Sequence, residues 1–129
     1  MLLLVALLAV VMISCSKESK ELKLIQQQQS GDYKVAILSE TGSVSQGKTP
    51  FTLEFRKAAN DQLVDVGPVN LAPVMEMAGM GPMMATSAVT PTSTPGRYTA
   101  IGNLTMSGHW KFNITFGDGQ NVRFNISAE

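Results

Sequence analysis

The chain has 129 residues, enough for one domain of ordinary size and too few for two. Ten Lys and Arg residues balance ten Asp and Glu residues, so the basic excess typical of nucleic-acid-binding proteins is absent, and we expect no nucleic-acid partner. A hydrophobic content of 44% excludes a chain that is disordered throughout. One Cys and one His exclude a disulfide framework, a Cys-rich metal centre and a multi-His hydrolase site.

An apolar segment at the N-terminus predicts export. The uncharged run at 2–13 has twelve residues, which fits the core of a signal peptide but is short for a transmembrane helix of roughly 20. The following residues, MISC at 12–15, resemble a bacterial lipobox, although the usual Lys or Arg before the apolar run is missing. We expect a lipoprotein signal peptide at 1–14 and lipidation of Cys15. The alternatives are an ordinary cleaved signal peptide and a short anchor helix.

A charged and polar stretch follows Cys15. It contains SKESKELK at 16–23, four consecutive Gln residues, and Ser-Gly-Asp at 30–32, a composition typical of linkers and turns. We interpret residues 15–32 as a mostly irregular, lipid-anchored tether and residues 33–129 as the folded domain. The predicted location is the bacterial cell envelope, on the periplasmic side or the outer surface, with the membrane as a partner through the lipid.

Short runs of alternating polarity fill the predicted domain. At 51–56, Phe51, Leu53 and Phe55 alternate with polar residues, the period of two that is typical of a strand with one buried face. Clusters of Gly, Pro, Asn and Asp separate the runs and predict turns. The runs that predict strands are 33–38, 51–56, 63–66, 69–77, 85–89, 97–106, 110–116 and 122–126.

The last two runs carry the clearest structural signal, because GDGQ at 117–120 between them is typical of a hairpin turn. About seven short strands at regular spacing, with no helical periodicity, predict an all-β, immunoglobulin-like β-sandwich. We expect Trp110 to pack between its sheets. Pro95 and Gly96 predict a turn that enters a strand, with Tyr98 half-buried in it.

The Met residues are distributed unevenly. Two of the eight lie in the predicted signal peptide, five lie within ten residues in VMEMAGMGPMMA at 74–85, and Met106 lies close to the single His109. Thioether sulfur is a soft, neutral ligand that suits monovalent copper or silver and needs no deprotonation. The pattern predicts that copper(I) is the cofactor or cargo and that its ligands are Met75, Met77, Met80, Met106 and His109.

The spacing of these residues suggests how they would converge. Met75 and Met77 are two apart, so their side chains share one face if the segment is extended. The Gly and Pro residues at 79–82 predict a turn that folds the later Met residues back towards them. Met106 and His109 would need a turn at 107–108 to come together.

Two other interpretations of the cluster stay open. Met is a flexible core-filling residue, and Met-rich loops also serve as adaptable docking surfaces for other proteins. His109 fits equally well as an ordinary polar residue at the start of a strand. The two candidate functions are therefore a copper-handling binding protein and a non-metal protein-interaction module.

Residues 47–124 resemble the YtkA-like/FixH-like domain family. The resemblance rests on FTLEF at 51–55, VMEMAGMGPM at 74–83, PGRYTA at 95–100 and MSGHWKFNI at 106–114. It implies an immunoglobulin-like sandwich on the outer side of a bacterial inner membrane. Its members accompany cytochrome oxidase assembly proteins or metal-efflux adaptors, and these are the partners that the resemblance implies.

The resemblance also assigns residues. The Met-x-Met of the family falls on Met75 and Met77, and its Met-x-Gly-x-Trp begins at Met106. Many relatives carry a His in or just after the Met loop, where this chain has further Met residues, a difference that favours monovalent over divalent copper. The motifs of common hydrolases and nucleotide-binding proteins are absent. We expect no catalytic residue and no enzymatic activity.

Overall fold

The computed structural model describes residues 21–129, which form nine β-strands and no helix. The strands are β1 (Lys23–Ser30), β2 (Tyr33–Ser39), β3 (Gly47–Lys57), β4 (Val69–Met75), β5 (Met83–Met84), β6 (Thr86–Pro91), β7 (Arg97–Leu104), β8 (Gly108–Phe116) and β9 (Gln120–Ala128). They form a five-stranded sheet in the order β1-β2-β3-β7-β6 and a four-stranded sheet in the order β5-β4-β8-β9. All pairs of neighbouring strands are antiparallel. The predicted all-β, immunoglobulin-like sandwich is confirmed, with nine strands in place of about seven.

The core lies between the two sheets and follows from the alternating sequence pattern. In β8 and β9 every second side chain is buried, because successive side chains of a strand point to opposite faces. Phe51 of the first sheet stacks on Phe112 of the second, with ring centroids 5.5 Å apart. Trp110 is 0% exposed within this core, which confirms the prediction that it packs between the sheets.

The β8–β9 hairpin is formed as predicted. Phe116 pairs with Gln120, and the intervening turn places Gly117 and Gly119 at positive φ, a conformation that Gly adopts without steric cost. The turn before β7 is also confirmed. There Gly96 has φ +87°, and a Cβ at this position would lie 2.8 Å from the backbone of Val64, so only Gly allows the two segments to approach.

Three sequence-based expectations need correction. Part of the predicted irregular tether is strand β1, which pairs with β2 along its length, so the fold begins near residue 23 rather than 33. The predicted strand at 63–66 is reduced to a single bridge between Leu63 and Arg56, because the side chain of Asp65 accepts a bond from the N–H of Gly67 and turns the chain. Tyr98 is 4% exposed, and therefore buried rather than half-buried.

The sandwich has two chemically different ends. At the hairpin end, the β8–β9 turn lies beside the β1–β2 turn, where the hydroxyl of Ser30 donates to the carbonyl of Asn121 at 3.1 Å. The opposite end, here called the Met-rich end, holds β5, the end of β4, the turn at 105–108 and the loop at 40–46. Val44 in that loop bridges to Ala128, which joins the sheets there. The predicted signal peptide and Cys15 lie outside the described residues.

Candidate metal site at the Met-rich end

Met75 is the last residue of β4 and is buried beneath the other Met residues of the Met-rich end. Leu71, Pro73 and Met75 all face the core, and Met75 is only 6% exposed. Gly108 lies against it, since a Cβ at Gly108 would be 3.3 Å from the terminal methyl of Met75. The φ of +128° at Gly108 also favours Gly. Because Gly108 has no side chain, it leaves room for the side chain of Met75 at the start of β8.

The predicted turn folds the Met-rich segment, residues 74–85, back on itself. Met83 lies opposite Met75 in the short β4–β5 ladder. Both Met77 and Met83 are partly buried and pack against the core cluster. The hydroxyl of Thr105 lies 3.2 Å from the sulfur of Met83, so the thioether accepts a weak hydrogen bond. Three of the clustered thioethers are thus held at one end of the core, two of them partly open to solvent.

The other Met residues of this end are exposed. Met80 and Met84 are each 69% exposed and Met106 is 41% exposed. The N–H of Met80 donates to the carbonyl of Met77 at 3.2 Å, which closes the turn after β4. The carbonyl of Met106 accepts a bond from the indole N–H of Trp110 at 3.0 Å, which fixes the turn before β8. The backbone is therefore anchored at both turns while the thioethers remain accessible.

His109 occupies the outer face of the four-stranded sheet. Its neighbours in β8, Gly108 and Trp110, face inward, and the His109 ring bonds the hydroxyl of Ser127 at 3.0 Å through Nδ1. The ring lines a shallow hollow together with Glu76 and Lys111. The structure thus places the imidazole on the face of the sheet opposite to the side chain of Met75.

The charged groups near the imidazole form an ion pair of their own. The Nζ of Lys111 lies 2.8 Å from Oε2 of Glu76 at the surface. The hydrogen bond and the positive charge of Lys111 lower the pKa of Glu76. The carboxylate of Glu76 stays ionised at neutral pH, and its negative charge is balanced by the positive charge of Lys111.

In residues 21–129, the part of the chain that the structure describes, no three His, Cys, Asp or Glu side chains converge to form a metal site. The one buried carboxylate of this part is Glu54, which pairs with Arg97 at 2.9 Å and with Arg56 at 3.1 Å. These two guanidinium groups satisfy its oxygens, so Glu54 belongs to an ion-pair network within the five-stranded sheet. The soft-ligand chemistry of residues 21–129 is concentrated in the Met-rich end.

Of the five residues predicted as ligands, the structure brings Met75, Met77, Met80 and Met106 to one end of the sandwich and leaves His109 on the outer sheet face. It adds Met83, which lies directly opposite Met75. The position of Met83 follows from the turn at 79–82, but its partner residue could not be predicted without the ladder register.

Comparison with known families adds one decisive observation. The sequence matches the YtkA-like family over residues 27–115, more than half of the chain. The chain belongs to the YtkA-like family. Comparisons with curated proteins and with solved structures yield no significant match.

The YtkA-like match places the family boundary within the observed fold. It begins inside β1, which agrees with the structure in making this strand part of the domain. It ends at Thr115, before β9, and spans the whole Met-rich segment together with Met106 and His109. The last strand nevertheless completes the sheet by pairing with β8 along its length. Within residues 21–129 of the YtkA-like protein, no helix is long and apolar enough to cross a membrane.

Proposed function

We propose that this YtkA-like protein is a lipid-anchored protein of the bacterial cell envelope that binds a soft monovalent ion, copper(I), at the Met-rich end. The observation that carries the proposal is the β4–β5 ladder, in which Met83 folds back opposite Met75 and encloses Met77 and Met80 in the intervening turn. A segment that only filled the core would not need thioethers on both sides of this turn.

The chemistry of sulfur supports copper(I) over harder ions. Thioethers are neutral, bind without losing a proton and favour soft metals. They cannot form disulfides in an oxidising compartment outside the cytoplasmic membrane. The proposed ligands are Met75, Met77, Met80 and Met106, with Met83 as an addition from the structure. Met75 is the most buried of them.

The geometry favours an all-thioether site over one that includes the imidazole. His109 faces away from the side chain of Met75 and bonds Ser127 on the neighbouring strand. The Ser127 bond uses Nδ1 and leaves Nε2 for a metal, but the ring would have to reach round the sheet edge to join the side chain of Met75. Copper(I) affinity should therefore change little on mild acidification, whereas a His ligand would be lost by protonation.

The alternative function is a non-metal docking module. It is favoured by the high exposure of Met80 and Met84, because flexible apolar side chains adapt to different partner surfaces. The partners implied by the family resemblance are metal-efflux adaptors and cytochrome oxidase assembly proteins. In this case the sulfur atoms would have no specific role, and other apolar side chains of similar volume would serve.

Competition with a chromophoric copper(I) chelator under reducing conditions separates the two functions. The variant carrying Met75→Leu and Met77→Leu keeps nearly the same side-chain volume but loses two sulfur donors. We expect it to fold and to lose high-affinity binding. Met84→Leu is the matched control, because Met84 lies opposite Val74 and is not a proposed ligand. Unchanged competition by the double variant, or none by the natural protein, would contradict the metal site.

The lipid anchor is tested separately. If Cys15 is lipidated, Cys15→Ala should release the protein from the membrane fraction or leave its signal peptide uncleaved. Processing after Ser14 with retention in the membrane fraction would contradict the anchor. The metal assay does not depend on this result, since the proposed ligands all lie within the folded domain.

A further inference from the structure

The exposed large apolar side chains are concentrated at the Met-rich end. Within residues 21–129 the exposed ones are Leu24, Met80, Met84, Ile101 and Met106. All except Ile101 lie at this end, and Ile101 lies on the five-stranded sheet opposite Pro50. An end of a fold that gathers several exposed apolar side chains is a candidate contact with a partner or a membrane.

The chain from Met77 to Gly108 contains almost no charge. Residues 77–96 lack any Asp, Glu, Lys or Arg, and between 97 and 108 the one charged residue is Arg97. Arg97 begins β7 at the far end of that strand and pairs with Glu54. The Met residues of this end can therefore approach an apolar medium without the cost of removing charges from water. The charged side chains of the end lie around them, at Lys23, Glu40, Lys48 and Glu76.

The described chain also enters the fold at this end. Lys23 pairs with Ser39 at the end of β2, and Leu22 lines a hollow there with Ser39 and Phe51. A Cβ at Gly42, in the loop that forms part of the Met-rich end, would lie 3.2 Å from the Cβ of Lys23. The hairpin end lies at the other end of the strands, about 30 Å away for a strand of nine residues.

We propose that the Met-rich end faces the lipid bilayer and that Leu24, Met80 and Met84 contact its interfacial region. The proposal rests on the lipid anchor of the proposed function. Cys15 lies eight residues before Lys23, a contour length of at most about 28 Å. The width of the five-stranded sheet from β1 to β6 is about 19 Å, so this reach allows the apolar corners at both edges to meet the membrane.

The bilayer is the occupant that this arrangement favours, because the tether brings it within reach of the exposed apolar side chains at all times. The orientation also deepens the proposed function. A metal ion bound at this end would be exchanged at the membrane surface, with a membrane-embedded or membrane-bound acceptor, rather than with a carrier approaching the hairpin end.

Site-specific fluorescence in the full-length lipidated protein tests the orientation. Ser107→Cys at the Met-rich end and the matched control Asp118→Cys at the hairpin end each receive an environment-sensitive fluorophore; both positions are exposed, and a lipidated Cys15 cannot react. The proteins are reconstituted in protein-free phosphatidylethanolamine and phosphatidylglycerol vesicles that contain spin-labelled lipid. We expect several-fold stronger quenching of the label at position 107 than of the label at position 118.

A second variant tests the apolar contact itself. Leu24→Gln combined with Met84→Gln leaves every proposed metal ligand in place and should reduce quenching at position 107 to the level at position 118. Equal quenching of the two labels in the natural background would overturn the proposal. It would also be overturned if position 107 responded only in vesicles that contain membrane proteins, since the occupant would then be a protein. Flotation with the vesicles reports the lipid anchor independently, so its failure is distinguishable from a wrong orientation.

Discussion

The β8–β9 hairpin and the strands of the Met-rich segment at 74–85 lie in the same sheet but use apolar residues differently. In the hairpin, every apolar side chain of the alternating pattern is buried, from Trp110 to Ile126. In the Met-rich segment, chemically identical side chains range from 6% exposed at Met75 to 69% exposed at Met80 and Met84. Burial explains the apolar residues of the hairpin. It does not explain the exposed Met80 and Met84 of the segment.

The difference separates residues whose presence is explained by core packing from residues whose presence requires another explanation. A strand with one buried face requires apolar residues at alternate positions but not a particular apolar residue. Five sulfur-containing side chains in ten residues, on both sides of a turn, exceed that requirement. If the comparison is correct, substitutions in the hairpin should affect stability, and substitutions in the Met-rich segment should affect binding.

The largest stability effect is expected at Trp110. Trp110→Ala removes a completely buried ring and the indole bond to the carbonyl of Met106, so unfolding free energy should fall by about 3–5 kcal/mol. Urea denaturation followed by circular dichroism measures this change. A loss below about 1 kcal/mol would mean that the ring is not part of a well-packed core.

Tyr98 should have a smaller effect that depends on pH. Its hydroxyl donates to the carbonyl of Gly67 at 2.8 Å and contacts Asp65 at 3.2 Å, so Tyr98→Phe should cost about 1–2 kcal/mol of unfolding free energy. Burial, and then the bond to Asp65, raise the pKa of Tyr98 above its ordinary value. The folded state thus retains this proton to higher pH than the unfolded chain.

The sign of the pH effect follows from that difference. The stabilisation by the protonated hydroxyl is complete below about pH 10, the ordinary Tyr value, and is lost as the pH rises through the higher folded-state pKa. Urea titrations at several alkaline pH values should show a steeper loss of stability in the natural protein than in Tyr98→Phe. Parallel curves for the two proteins would contradict this assignment.

Met75 separates packing from binding at a single buried position. Met75→Leu should cost less than about 1.5 kcal/mol of unfolding free energy, because the two side chains have similar volumes. Met75→Ala, the control for packing, should cost about 2–5 kcal/mol. If Met75→Leu destabilised the fold as much as Met75→Ala, the shape of this side chain would matter to the core more than its sulfur.

The smallest stability effect is expected for the exposed Met residues. Met80→Gln together with Met84→Gln should change unfolding free energy by no more than about 0.5 kcal/mol, because surface substitutions away from the core rarely do more. Phe112→Gln together with Phe124→Gln is the contrasting variant. It would remove two buried side chains and should cost far more unfolding free energy. A large loss for the Met variant, measured by thermal unfolding, would show that the turn packs more tightly than its exposure indicates.

The sequence predicted those elements in which burial imposes alternation. The strands β2, β3, β7, β8 and β9 follow from it, as does the turn at 117–120. Strand β1 was not predicted because its sequence, KLIQQQQS, is mostly polar. It is an edge strand held by backbone pairing with β2, so most of its side chains need not be apolar. The predicted strand at 63–66 is a single bridge because the side chain of Asp65 turns the chain there, and hydrophobic alternation does not reveal such a turn.

The candidate site was predictable in composition but not in arrangement. The spacing of Met75 and the turn at 79–82 indicated that the cluster would fold together. The separation of His109 from it follows from the parity of β8, in which Gly108 and Trp110 face inward. The sequence does not fix whether residue 109 belongs to the strand or to the turn before it. The pairing of His109 with Ser127 shows that it belongs to the strand and therefore faces outward.

The most direct test of the thioether site is a titration of the protein with silver(I), a redox-stable substitute for copper(I), followed by nuclear magnetic resonance of carbon-13-labelled Met methyl groups. The account predicts that the methyl resonances of the proposed ligands, Met75, Met77, Met80, Met83 and Met106, shift together and saturate at one ion per chain. Met84 and the ring of His109 should not shift. Shifts confined to His109, or equal weak shifts of all exposed Met residues without saturation, would contradict a specific soft-metal site at the Met-rich end.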